Sequence, residues 1–255
     1  MLLAFLFFAT ALLYACAGFG GGSTYNALLV LNNTDYRFIP LVSLICNIIV
    51  VTGGVWHFSR SGHIRISRIL PWVTLSVPMA WLGGYIAISE KVFVGLLGSA
   101  LFISGIRMLL FEKPAASDQG EKPADLAQSI YVPPAIGAAL GLLAGVTGIG
   151  GGIFLAPILH FLRWGNAKEI AGICSLFILV NSVAGLIGQG MKLGGESLFL
   201  QALSSHWALF PSVFLGGQVG SILGASLIKT KYVKIATAIL ILYVSAQLLY
   251  RFFAE

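Results

Sequence analysis

The chain has 255 residues, of which 58% are hydrophobic and only 9% charged, against roughly 25% charged in a soluble globular domain. That excludes a water-soluble fold, and apolar runs of about 20 residues exclude barrel strands of about ten alternating residues. The formal charge of +6 sits in short loops between apolar runs, so it marks membrane sidedness and not a nucleic-acid surface.

Apolar segments are expected at about 1–31, 38–58, 69–89, 92–111, 131–162, 169–189, 205–228 and 233–250. The first has no basic leader and no cleavage site, and reads as a membrane segment. At about 46 Å if wholly helical, it is too long for one ordinary span and too short for two. Gly18-Phe19-Gly20-Gly21-Gly22 interrupts it, because glycine combines poor helix propensity with free backbone dihedrals. The second segment carries Ser43, Cys46 and Asn47, and the third Pro78 and Gly83-Gly84. A polar stretch at 112–130, with Pro114, Pro123 and several charges, reads as a flexible cytoplasmic linker. It divides a first membrane repeat, 1–111, from a second, 131–255.

The second half repeats the first. Gly148-Ile149-Gly150-Gly151-Gly152 follows the first cluster at an offset of 130, and Asn181 follows Asn47 at 134. Pro211 with Gly216-Gly217 follows Pro78 with Gly83-Gly84 at 133. Three matches in one order indicate a duplication.

Basic residues choose the topology. If all eight segments cross, eight basic residues fall on one side and seven on the other, which orients nothing. If the two glycine-broken segments return to the side they entered, six segments cross and the second half is inverted. Eleven basic residues then lie on one side, facing Arg37, Lys91, Lys192 and Arg251 on the other, as the positive-inside rule requires. The expected fold is an all-α polytopic membrane protein of two inverted-topology repeats. Each has a glycine-broken segment, re-entrant or a pair of short helices, plus three spanning helices, and both termini lie outside.

Non-helical backbone survives at membrane depth only where protein or a water-filled cavity satisfies it, and paired breaks point to a transport site near the midplane. A helix starting after Gly22 or Gly152 presents N–H groups and a positive dipole end, which suit an anion. The expected substrate-binding set is Gly20, Gly21, Gly22, Ser23, Thr24, Asn47, Thr147, Gly150, Gly151, Gly152, Ser175 and Asn181. Its hydroxyls and amides donate hydrogen bonds without the cost of an intramembrane Lys or Arg. Close packing is the competing reading of the glycine clusters, and an interhelical hydrogen bond that of Asn47 and Asn181. Gly216, Gly220 and Gly224, and Gly141 with Gly145, read as packing glycines. A phosphate-loop reading fails because no strand or βαβ unit precedes either cluster. His57, His63, His160 and His206 are expected mainly at the interface, and Glu90-Lys91 and Lys168-Glu169 as solvated loop edges. Cys16, Cys46 and Cys174 lack metal or disulfide spacing; they are apolar filler or thiols acting on a sulfur compound.

With these residues in view, the chain resembles the sulfite exporter TauE/SafE family of membrane transporters over nearly its whole length. The resemblance rests on two halves with a GxGGG cluster in the first segment of each, on Gly148 to Gly152 followed by Pro157, and on Ser175 through Asn181-Ser182. The first half departs from the pattern, with Ala27 where Pro157 would match and an unusually polar Ser23-Thr24-Tyr25-Asn26. The resemblance implies a non-enzymatic secondary transporter, an exporter, of sulfite, sulfoacetate or a related sulfur-containing or organic anion across a bacterial inner membrane. The partners are then a small anion and the lipid bilayer, with a proton or sodium ion as candidates for coupling, and no cofactor, metal or nucleic acid. An anion channel and a thiol-dependent protein handling a sulfur compound are the alternatives.

Overall fold

The computed structural model describes residues 1–16, 18–110, 130–193, 196–223 and 230–254. The linker expected at 112–130 lies outside them except for its last residue, as do Gly224 and the loop cations Lys113, Lys122 and Lys229. In chain order the helices are α1 (Leu2–Cys16), α2 (Gly22–Leu31), α3 (Ile39–Arg60), α4 (Ile66–Val73), α5 (Ser76–Tyr85) and α6 (Glu90–Leu110). Then follow α7 (Val132–Thr147), α8 (Gly152–Phe161), α9 (Ala167–Lys192), α10 (Glu196–His206), α11 (Leu209–Leu223) and α12 (Thr230–Ala254). The second six reproduce the order of the first six.

Among the described residues, α3 and α9 are long and apolar enough to cross a membrane, and the α10–α11 pair passes as a third span bent by 59°. With 21 and 25 residues, α6 and α12 also reach about 30 Å at about 1.5 Å per residue. The chain is thus a helical membrane protein.

Two segments expected as single helices are interrupted, at Thr74–Leu75 and at Trp207–Ala208. The cause is the same in both. Pro78 stands third in α5 and Pro211 third in α11. Each lacks the N–H that would bond four residues back, and its ring clashes with that carbonyl, of Thr74 or Trp207.

Glycines decide which helices touch. Gly216 and Gly220 of α11 face the carbonyls of Phe8 and Leu12 in α1, while Gly137, Gly141 and Gly145 of α7 face those of Trp72, Ser76 and Ala80 around α5. A Cβ at any of the five would strike backbone, so these glycines exist for helix contact. Gly84 and Gly188 bring α5 and α9 together in the same way, and a Cβ on Gly217 would lie 3.2 Å from the Val50 Cα of α3.

Contact order also fixes direction. Ascending positions in α1 meet ascending positions in α11, so the two run parallel, as do α7 and α5. Along α3 and α9 the order reverses: Leu44 lies by Gly185, Gly54 by Ser175, and Phe58 by Gly172. α6 and α12 are likewise antiparallel, with Gly95 on Phe252, Gly98 on Leu248 and Gly105 on Leu242.

The loop-edge charges are more engaged than expected. Asn166 caps α9 by accepting from Lys168 and Glu169 N–H groups at 3.1 and 3.0 Å, and Glu169 accepts from the Asn166 N–H at 3.1 Å. This reciprocal arrangement satisfies the exposed amide groups of the helix start. Glu169 also lies 3.8 Å from Arg68, whose guanidinium donates to the Trp164 carbonyl at 2.7 Å and stacks 4.2 Å from its ring centroid. Glu90 pairs with Arg251 at 2.8 Å, and Lys91 lies over Phe252.

Candidate functional site

Each glycine cluster ends one helix and starts another. Gly21 and Gly151 are the N-caps of α2 and α8, with φ of 93° and 76°. Only glycine holds such left-handed backbone without strain, which accounts for the residue type at both. After the first break α2 folds against α1: Tyr25 stacks on Phe7 at 4.7 Å, and the Thr24 and Tyr14 hydroxyls lie 2.9 Å apart. With 15 and 10 residues, α1 and α2 are about 22 and 15 Å long, each short of a bilayer core about 30 Å thick.

The two breaks meet, and Asn47 sits where they do. A Cβ on Gly20 would strike the Asn47 amide oxygen. One on Gly22 would lie 2.6 Å from both the Asn47 amide nitrogen and the Ile149 carbonyl, and one on Gly150 would lie 3.0 Å from that nitrogen. Asn47 is fully buried and donates to the Gly148 carbonyl at 3.2 Å, a carbonyl also reached by Ser43 at 3.1 Å. The long helix of the first half thus holds the break of the second. The converse contact comes from Ser175 of α9, whose hydroxyl reaches the Gly18 carbonyl in the first break.

Among the described residues, the backbone N–H groups of Gly22, Ser23 and Gly152 have no hydrogen-bond partner. They are the uncapped donors that a helix start leaves over. Buried side-chain oxygens without partners are those of Asn26, Asn47, Asn181, Gln189 and Ser182, of which Asn47 and Ser182 adjoin Gly150. The amide orientations follow from their nitrogens, which must face carbonyls: Asn26 donates to Thr147 at 2.6 Å, Gln189 to Gly145 at 2.8 Å and Asn181 to Phe177 at 2.9 Å. Among the described residues the meeting of the breaks therefore offers main-chain donors and the side-chain oxygens of Asn47 and Ser182, and no ionised group is placed there.

The structure gathers Gly20, Gly22, Asn47 and Gly150 at one point, with Thr147, Gly152 and Ser175 on the flanking backbone contacts. Ser23 is buried at the start of α2. Gly21 and Gly151 serve as caps, and Thr24 turns to Tyr14. Asn181 departs from its repeat mate: it bonds back to its own helix and bridges no break. Asn26 and Gln189, both fully buried, are the residues the sequence reading left out. Their signal was an amide inside an apolar run, visible at Asn26 within the polar 23–26 stretch.

None of the three cysteines is in a disulfide. Cys46 and Cys174 are fully buried, and the Cys16 thiol donates to the Gly220 carbonyl at 3.2 Å.

The family model described as "Sulfite exporter TauE/SafE" matches residues 2–248 of this chain. The chain belongs to the sulfite exporter TauE/SafE family. It is also similar to a probable membrane transporter protein, y4hK, of Sinorhizobium fredii (strain NBRC 101917 / NGR234), with 30% identity over 250 residues that cover 97% of each chain. No solved structure matches. Family membership and the apolar helices make this a multi-pass membrane transporter, and the sequence resemblance to TauE/SafE is borne out.

Proposed function

We propose that this TauE/SafE protein is a secondary transporter, an exporter, of small anions across the bacterial inner membrane, working by alternating access. Sulfite, sulfoacetate and related sulfur-containing or organic anions are its substrates. The observation that carries this reading is the meeting of two glycine breaks, one from each half, around Asn47, with the unpartnered N–H groups of Gly22, Ser23 and Gly152 at the helix starts. Such groups bind an anion through dipoles, without an intramembrane cation. The substrate site comprises Gly20, Gly22, Ser23, Asn47, Gly150 and Gly152, with Ser175 and Thr147 positioning the backbone.

The repeats are inverted, and the positive-inside count puts both termini outside. Three observations support the inversion. First, α3 and α9, and α6 and α12, pair antiparallel across the halves, as an in-plane pseudo-two-fold axis requires. Second, Arg37 and Lys192 line one cavity, and Glu90 pairs with Arg251. Third, Arg68 meets Trp164 and Glu169. These contacts join residues that eight single crossings would put on opposite sides. The α1–α2 and α7–α8 pairs are re-entrant on this reading, since α1, α2 and α8, with 15, 10 and 10 residues, are each too short to cross alone.

A carrier is favoured over a channel by the close approach of the two breaks, so near that a Cβ on Gly22 would stand 2.6 Å from the Ile149 carbonyl oxygen. Opening to one side at a time requires the halves to move about that contact. The test is a flux panel in proteoliposomes with sulfite, thiosulfate, sulfoacetate and simple carboxylates, under proton and sodium gradients. Saturable flux stimulated by anion on the opposite side is expected. If no anion moves under any gradient, the proposal is wrong.

A further inference from the structure

Beside the glycine breaks, a cavity of about 200 Å³ opens between the two halves, lined among others by Tyr36, Arg37, Pro40, Phe93 and Lys192. Its cations come from different repeats, Arg37 from the α2–α3 loop and Lys192 from the end of α9. Asp35 engages the Arg37 guanidinium at 2.7 and 3.1 Å, and that hydrogen bonding holds the Asp35 carboxyl below its ordinary range. At the neighbouring edge Glu90 is taken by Arg251. Among the described residues, no carboxylate lies within ion-pair distance of Lys192, which is half-buried. Drawing an ammonium out of water without a counter-charge is costly, so the group stands ready for an anion.

The cavity also adjoins the candidate site. Pro40 lines it, and the Pro40 Cα lies 2.6 Å from where a Cβ on Gly148 would stand. We infer that this cavity is an anion-holding vestibule in which Lys192 is the principal contact and Arg37, restrained by Asp35, the secondary one. It takes a small oxyanion or carboxylate at the outer end of the path and passes it to or from the second glycine break. Its role in transport rests on the anion-carrier reading, whereas the binding itself does not.

The test is thermal unfolding of the full chain in detergent, titrated with sodium sulfite and separately with sodium acetate at constant ionic strength. Wild type is expected to be stabilised with a saturable midpoint. Lys192→Gln moves that midpoint up by about tenfold, the scale of one lost charge-assisted hydrogen bond at a half-exposed site, and Lys192→Arg largely restores it. Asp35→Asn moves it down, because Arg37 is released. The downward shift is the independent arm should Lys192→Gln not fold. An unchanged midpoint in Lys192→Gln, or no anion-dependent stabilisation of wild type, overturns the vestibule. Flux in proteoliposomes separates the two readings. Flux without Lys192-dependent binding removes the vestibule and leaves the carrier; Lys192-dependent binding without flux removes the carrier and leaves the vestibule.

Discussion

Gly22→Ala probes the contact between the two halves with a single methyl group. The added Cβ would stand 2.6 Å from the Ile149 carbonyl oxygen, where ordinary contact begins near 3.4 Å. The breaks must then separate by about 0.8 Å, because the obstacle is backbone and cannot rotate away. Overpacking of this kind costs about 1–3 kcal/mol, against a gain of at most about 1 kcal/mol from replacing glycine in a helix. The net expectation is a loss of about 1–2 kcal/mol together with loss of flux, since the donors of Gly22 and Ser23 move with the backbone. Gly190→Ala is the matched control: its Cβ would meet Phe199 at 3.8 Å, an ordinary contact, so stability is kept or raised. Thermal unfolding in detergent and anion flux in proteoliposomes read both variants. If Gly22→Ala unfolds and transports like wild type, the close meeting of the breaks has no functional weight.

The repeat-matched asparagines should behave differently. Asn47→Ala costs about 1 kcal/mol of stability, because Ser43 still serves the Gly148 carbonyl at 3.1 Å, yet lowers flux by at least about tenfold, or roughly 1.4 kcal/mol of site free energy. Asn181→Ala leaves flux within about twofold, as its amide bonds only to Phe177; equal losses in the two variants would contradict the asymmetry. Arg68→Ala should lower the unfolding free energy by about 1–2 kcal/mol through the lost Trp164 stack and carbonyl bond, with Arg68→Lys recovering only part; a neutral Arg68→Ala would count against it. Replacing Asn33 and Lys168, both exposed, by cysteine should yield labelling from opposite sides of the membrane. Labelling of both from the side that exposes Lys91 would overturn the inverted arrangement.

Much of this protein was legible from the sequence because the deciding physics is local. A chain with 9% charged residues has to sit in lipid, and clusters such as Gly18 to Gly22 cannot continue a helix whatever lies nearby. The duplication, too, is a pattern along the chain. The interruptions before Pro78 and Pro211 are equally local, but hydropathy does not register a missing N–H. Asn47 and Asn181 show where locality ends. They occupy matching positions in matching segments, but whether an amide bridges a break or bonds its own helix depends on which backbone stands opposite. Only the fold sets Gly148 beside Asn47 and leaves Asn181 facing Phe177. The cavity of Arg37 and Lys192 follows the same rule: a residue's charge is written in the sequence, and the company it keeps is decided by packing between halves more than a hundred residues apart.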